Sequence, residues 1–177
     1  MKLISSYPRS GSAKLRMIIC NLLYPGDHDF TTINQYVPSI DSPITRANGK
    51  ACDYMVTHMP ISSDIFLYRH VGDCLISEYW FKQKFYPSNQ TLQDFIIESN
   101  YGELWRESVE AGRGSEVKIS FDDLNDVEKV LRSIDIEISE GFNANDNTWK
   151  RLWEASNFAS MQRLEETKGL DQHSPRS

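Results

Sequence analysis

Apolar side chains at Leu15, Ile18, Ile19, Leu22 and Leu23 recur at i, i+3, i+4, i+7 and i+8, the spacing that lays one greasy stripe along a helix. Upstream, Lys2–Ser6 is a short apolar segment with strand character. Between the two, Tyr7-Pro8-Arg9-Ser10-Gly11-Ser12 breaks both periods with Pro, Gly and Ser, and Tyr24-Pro25-Gly26 stops the helix. The chain therefore opens as strand, glycine-containing loop, helix. Residues 25–50 are rich in turn formers and predict little regular structure. Ala51–Thr57 predicts a second strand. Ile65-Phe66-Leu67-Tyr68 predicts a third, and its unbroken apolar run is that of a strand covered on both faces. Helices follow over Val71–Phe85 and Leu92–Ala111. The alternation in Val117-Lys118-Ile119-Ser120-Phe121 predicts a fourth strand, and Asp126–Ile134 a further helix. After the polar loop Asn143–Asn147 comes a long helix over Thr148–Thr167.

Strands alternating with helices imply an α/β fold: a central parallel sheet of about four to five strands flanked by helices. Such sheets bind ligands at the carboxyl ends of their strands. At 177 residues the chain fits a single domain, 1–177, with room for a continuous core. No apolar run approaches the roughly 20 residues of a membrane span, and the opening residues are too soon interrupted for a signal peptide. Cys20, Cys52 and Cys74 lie far apart without C-x-x-C spacing, which suits buried packing in a reducing compartment and a cytoplasmic location.

The net charge of −6 argues against nucleic acid as a partner. Its distribution is uneven. Residues 1–26 hold Lys2, Arg9, Lys14 and Arg16 and no acid, a local +4 that leaves −10 on the rest. A basic end on an acidic protein directs attention there for an anion site. A strand-to-helix loop offers unpaired backbone N–H groups and the positive end of a helix dipole. Gly11 allows close approach, Ser10 and Ser12 add hydroxyls, and Arg9 and Lys14 add full charges. The spacing alone fits a phosphate or sulfate cradle or a plain β–α turn carrying surface cations. It fits neither the G-x-x-x-x-G-K-[ST] loop of nucleotide triphosphatases nor the G-x-S-x-G nucleophile elbow.

The run Ser6-Tyr7-Pro8-Arg9-Ser10-Gly11-Ser12-Ala13-Lys14-Leu15 resembles the 5′-phosphosulfate loop of the cytosolic-type sulfotransferase family, commonly Y-P-K/R-S-G-[TN]-T-W-L. Three further segments follow in family order. Thr57-His58-Met59-Pro60 is similar to the family's T-H-x-P, whose histidine removes the acceptor's proton, a role suited to a side chain that ordinarily titrates near neutrality. Arg69, Asp73 and Ser77 keep the spacing of R-[ND]-P-R-D-x-x-x-S, whose first Arg and last Ser hold a 3′-phosphate, although Val71-Gly72 replaces Pro-Arg. Ser120-Phe121-Asp122-Asp123-Leu124 is similar to x-Y-E-D-L, in which the aromatic lies near adenine. Ala155-Ser156-Asn157-Phe158-Ala159-Ser160-Met161 resembles the T-S-F-x-x-M segment that contacts adenine.

The resemblance implies a P-loop nucleotide-hydrolase-like fold and transfer of a sulfuryl group from 3′-phosphoadenosine-5′-phosphosulfate (PAPS) to a hydroxyl or amine of a small-molecule acceptor. It implies His58 and Arg9 as catalytic residues. Arg9, Ser10, Gly11, Ser12, Ala13, Lys14, Arg69, Ser77, Phe121, Ser156 and Phe158 would form the nucleotide site, with no metal, nucleic acid or membrane involved. Asp73, Asp122 and Asp123 are expected to cap helices or pair locally, and His28, His70 and His173 to be surface or packing residues. Tyr36 and Trp80 fit equally an acceptor pocket or core packing. Two departures stand out. Lys14 occupies the place of a tryptophan that stacks on adenine, and the R-K-G-x-x-G-x-W lid segment has no counterpart near Gly169–Ser177. These keep open a second class: a catalytically impaired module of the same fold that binds a nucleotide or other anion.

Overall fold

The computed structural model describes residues 1–23, 33–41, 53–134 and Glu154. Four strands, β1 (Lys2–Ser6), β2 (Tyr54–Thr57), β3 (Ile65–Tyr68) and β4 (Val117–Ser120), form one sheet in the order β2-β1-β3-β4, parallel at every pairing. Pro38–Ile40 flanks β2: Val56 donates its amide to Pro38 at 2.9 Å and Ile40 to Val56 at 3.0 Å, and Ser39 bridges Val56 in parallel sense. Helix α1 (Ser12–Leu23) follows β1. Helices α2 (Val71–Phe85), α3 (Leu92–Glu98) and α4 (Tyr101–Gly112) link β3 to β4, and α5 (Val127–Ile134) follows β4. No helix among the described residues is long and apolar enough to cross a membrane.

Alternation along the strands sorts the two faces. Ile4, Val56, Ile65, Leu67 and Ile119 turn to one face, where they join Leu15, Ile18, Ile19 and Leu22 of α1 and Val127, Val130, Leu131 and Ile134 of α5 in the main core. Each such side chain, fully buried, contributes roughly 1.5–3 kcal/mol of transfer free energy. Phe66 turns to the other face, against α4. Gly112 is obligatory there, since a β-carbon would stand 2.3 Å from the Phe66 ring. The apolar stripe predicted on α1 is therefore a core stripe. Cys20 and Cys74 are buried, while Cys52 lies outside the described residues.

Two expectations change. The helix predicted over Leu92–Ala111 is two helices. Thr91 opens α3 with a capping box to Asp94, and Ser99, extended at φ −86° and ψ 141°, ends it before Asn100 begins α4. Ser and Asn hydrogen-bond competitively with the backbone, and side by side they outweigh an apolar period that runs through them. The cap of α2 is also His70, whose Nδ1 accepts from the Gly72 amide at 3.3 Å, with Asp73 exposed in the first turn. The long helix expected over Thr148–Thr167 lies outside the described residues.

Asp123 closes the turn after β4. Its carboxylate accepts from the Ser120 amide at 2.9 Å and from Lys129 Nζ at 2.6 Å, and its own amide donates to Ser120 Oγ at 3.2 Å. The Lys129 contact first, and then the Ser120 bonds, hold the carboxyl down at about 2. A depressed carboxyl stabilises the fold above its unfolded value and loses that contribution as pH falls through the folded one. Asp123→Asn is accordingly expected to cost about 1 kcal/mol at pH 7. In urea denaturation series, the gap from the parent protein should narrow steadily from pH 5 to pH 2.

Candidate functional site

Because all four strands run the same way, Tyr7–Ser12, His58, Arg69 and Phe121 leave the sheet at one end. The chain passes from β1 to β2 on one side and returns to β3 on the other. The gap above β1 and β3 is thus the switch point where open α/β sheets place ligands.

The loop after β1 is shaped by two left-handed residues, Arg9 at φ 68° and Gly11 at φ 96°. Glycine takes such a φ freely, and a β-carbon on Gly11 would also lie within 2.8 Å of the Phe121 ring and 2.7 Å of Leu124. For arginine the same conformation costs roughly 1–2 kcal/mol. It is compensated by contacts at both ends of the residue. The Arg9 carbonyl accepts from Arg69 Nη1 at 3.2 Å. The Arg9 guanidinium donates from Nε to Ser77 Oγ at 3.3 Å and lies 4.4 Å from the centre of the Phe81 ring. Arg9, Arg69 and Ser77, up to 68 residues apart in sequence, thus form one contact chain.

Within the loop the expected ligand groups divide. Ser10 is fully buried: its hydroxyl sits 3.6 Å from Cys74 Sγ and its amide donates to Tyr7 at 3.1 Å, so it braces the turn. Ser12 and Ala13 begin α1, and the first amide to find a backbone acceptor is Leu15, bonded to Gly11 at 3.0 Å. The amides of Ser12, Ala13 and Lys14 make no hydrogen bond among the described residues, which leaves a row of donors at the positive end of a 12-residue helix. Lys14 Nζ donates to Asn125 at 2.7 Å, and burial lowers its pKa. Its ammonium is tied to the turn after β4.

His58 is exposed at the end of β2. Its Nδ1 lies 3.1 Å from both the hydroxyl and the carbonyl oxygen of Ser6. A bond to the carbonyl requires the proton on Nδ1, so the neutral ring keeps its lone pair on Nε2. Asp41 fixes the backbone beneath it, accepting from Thr57 Oγ1 and from the His58 amide at 2.6 Å each. Sequence reasoning missed Asp41, which lies in an irregular stretch; a lone acid beside Ser39 carries no signal of a partner 17 residues away.

Glu78 was also missed. Next to Ser77 on α2, its carboxylate stands 4.0 Å from Arg9 Nε and accepts from Tyr101 at 2.9 Å. Burial, then the Glu78 hydrogen bond, drives the Tyr101 phenol well above its usual range; burial, then Tyr101, does the same to Tyr7, whose hydroxyl is buried without a partner among the described residues. Both phenols stay neutral donors across physiological pH.

Phe121 is placed at the site in an unexpected role. The Arg69 guanidinium stacks on its ring, 4.0 Å from the centre. Arg69 Nε is buried with no acceptor among the described residues, the sort of unmet donor that a bound oxyanion would satisfy after a small side-chain turn. Tyr36 belongs to the core and Trp80 is 62% exposed. Ser156 and Phe158 lie outside the described residues. No protein-family model matches the chain, and no curated protein matches it.

Proposed function

We propose that this chain binds 3′-phosphoadenosine-5′-phosphosulfate or its product nucleotide at the switch point of a P-loop-like fold, and that it is a sulfotransferase acting on a hydroxyl or amine of a small molecule. One observation carries the reading: the arginine loop after β1 and the Arg69–Ser77 pair, matched separately to two anion-holding motifs, touch each other through Arg9. Two anion grips in contact suit a ligand bearing two anionic groups a few ångströms apart. The amides of Ser12, Ala13 and Lys14 and Arg69 Nε, without acceptors among the described residues, fit such a group.

The nucleotide supplies the sulfuryl group. His58 Nε2 takes the proton from the acceptor as its oxygen or nitrogen attacks sulfur, while Nδ1–H stays on Ser6. Arg9 and the first amides of α1 stabilise the charge that gathers on the leaving phosphate as the S–O bond breaks. The protein works chiefly by position and fixed dipoles. The second reading, an impaired binding module, draws support from Lys14, committed to Asn125 rather than covering a base, and from Glu78, whose carboxylate competes with any anion for Arg9.

Calorimetric titration with adenosine 3′,5′-bisphosphate tests the binding reading. The parent protein should bind, and Arg69→Ala should weaken binding about 10- to 100-fold, the worth of a lost charge-assisted bond; equal affinity would remove Arg69 from the site. Glu78→Gln should tighten binding about fivefold, since it frees Arg9 from a partly buried carboxylate; unchanged or weaker binding would show that Glu78 does not compete. Catalysis is tested with PAPS and a panel of phenols, alcohols and amines. His58→Ala should retain nucleotide affinity and lose about 10²- to 10⁴-fold in turnover. Binding without turnover on any acceptor by the parent protein selects the second reading.

A further inference from the structure

Helix α2 is packed on two of its sides. Ser77, Glu78 and Phe81 turn to the loop after β1, where Arg9 meets all three. Tyr79 and Lys82 turn to α3 and α4: the Tyr79 ring lies 5.7 Å from Phe95, and Lys82 Nζ lies 5.2 Å from the centres of both the Phe95 and Tyr101 rings. At about 100° per residue, the remaining side carries Asp73, Ile76, Trp80 and Lys84 within about 80° of the helix surface. All four are exposed, Ile76 by 44% and Trp80 by 62%. The indole is held edge to face with Tyr79, centroids 5.1 Å apart, and Tyr79 is itself pinned by donating to the Gln90 carbonyl at 3.0 Å. An ordered tryptophan one turn from an isoleucine, both facing solvent, has the chemistry of an interface centre.

The charges that flank this apolar pair decide what covers it. Asp73 stands in the first turn of α2 and Lys84 in the last, about 16 Å apart along the axis. Water satisfies both where they stand; their bearing lies in how they bracket Ile76 and Trp80. The midpoint between 73 and 84 falls between residues 78 and 79. A second copy of α2 laid antiparallel across the stripe therefore sets each Asp73 opposite the partner's Lys84 and each Trp80 beside the partner's Ile76. The helix dipoles then oppose as well, positive end beside negative. A parallel pairing would set Asp73 on Asp73 and Lys84 on Lys84. The stripe thus complements itself about a two-fold axis, the isologous arrangement of most homodimers. Lys84 Nζ, 5.1 Å from the centre of the Phe85 ring, gives up only a surface contact.

We propose that the outward side of α2 is a homodimerisation surface: two copies of this chain pair through antiparallel α2 helices, with Ile76 and Trp80 at the centre and an Asp73–Lys84 pair at each end. One pair of 15-residue helices buries less than a standard interface. The dimer is accordingly weak, and its population follows protein concentration. The inference stands independently of sulfuryl transfer.

Sedimentation velocity of the full chain across about 10 to 500 µM should show the passage from one copy to two, with a Kd below about 500 µM. Trp80→Ala should raise that Kd about tenfold or more, as truncation of a central tryptophan does. Lys84→Glu and Asp73→Lys, each alone, set like charges at both ends and should weaken the dimer about fivefold or more. Mixed in equal amounts, the two variants regain two attractive pairs, and the mixture should dimerise within about threefold of the parent protein. A parent chain that stays single at the highest concentration would overturn the proposal. So would a dimer indifferent to Trp80→Ala or to either charge reversal, or a mixture that pairs no better than its components. Melting temperatures establish that each variant folds; should Trp80→Ala fail to, the charge variants and their mixture still decide. Failure of the nucleotide to bind would leave this surface untouched, and failure here would leave the nucleotide reading untouched.

Discussion

Everything at the candidate site depends on a backbone that turns left-handed at Arg9. That single torsion throws the Arg9 carbonyl towards Arg69 and its side chain towards Ser77 and Phe81. In an ordinary right-handed or extended conformation, one of the two would face elsewhere. A strained residue persists only where its surroundings overdetermine it. Here a guanidinium, a hydroxyl and an aromatic ring do so. A loop so braced would spare any ligand part of the ordering entropy that a floppy loop surrenders on binding.

Charge at the N-terminal end divides in a way that counting could not show. Lys2 donates to the carbonyl of Ile134 at the end of α5, at 3.2 Å. Arg16, buried, donates to the Val37 carbonyl at 2.8 Å and to Asn34, tying α1 to the segment beside β2. Two of the four cations that make residues 1–26 basic are thus structural, and a third, Lys14, is held by Asn125. The local excess of positive charge is therefore in good part a matter of packing, with Lys2, Arg16 and Lys14 each holding a partner elsewhere in the fold.

Much of the architecture was legible because it is written in local periods. The bounds of β1, β3 and α2 follow from runs and spacings of a few residues, as does the placing of the four described motifs at strands' carboxyl ends once the sheet is parallel. What escaped depends on partners distant in sequence. Asp41 under His58, Glu78 beside Arg9 and the Phe121–Arg69 stack arise from three-dimensional meetings of residues whose neighbours in sequence look ordinary. The break at Ser99-Asn100 was local, but its cue was two polar residues set against a strong apolar rhythm. Ser10 shows the converse: a hydroxyl in a loop looks available until its burial against Cys74 is known.

The passage from β2 to β3 spans only His58–Asp64. Seven residues reach at most about 25 Å, and this stretch must descend the height of the sheet beside β1, where Ser63 meets Ser5 at 2.6 Å and Ser115 at 3.2 Å. At its foot Asp64 is clasped twice, the carboxylate accepting from Leu3 at 2.7 Å and the carbonyl from Val117 at 3.1 Å. The histidine therefore hangs on a short tether that runs from β2 to β3 and is hydrogen-bonded to β1 and β4. Its location is governed by chain length as much as by its own bonds, and a single inserted residue in that tether would slacken it without touching any side chain of the site.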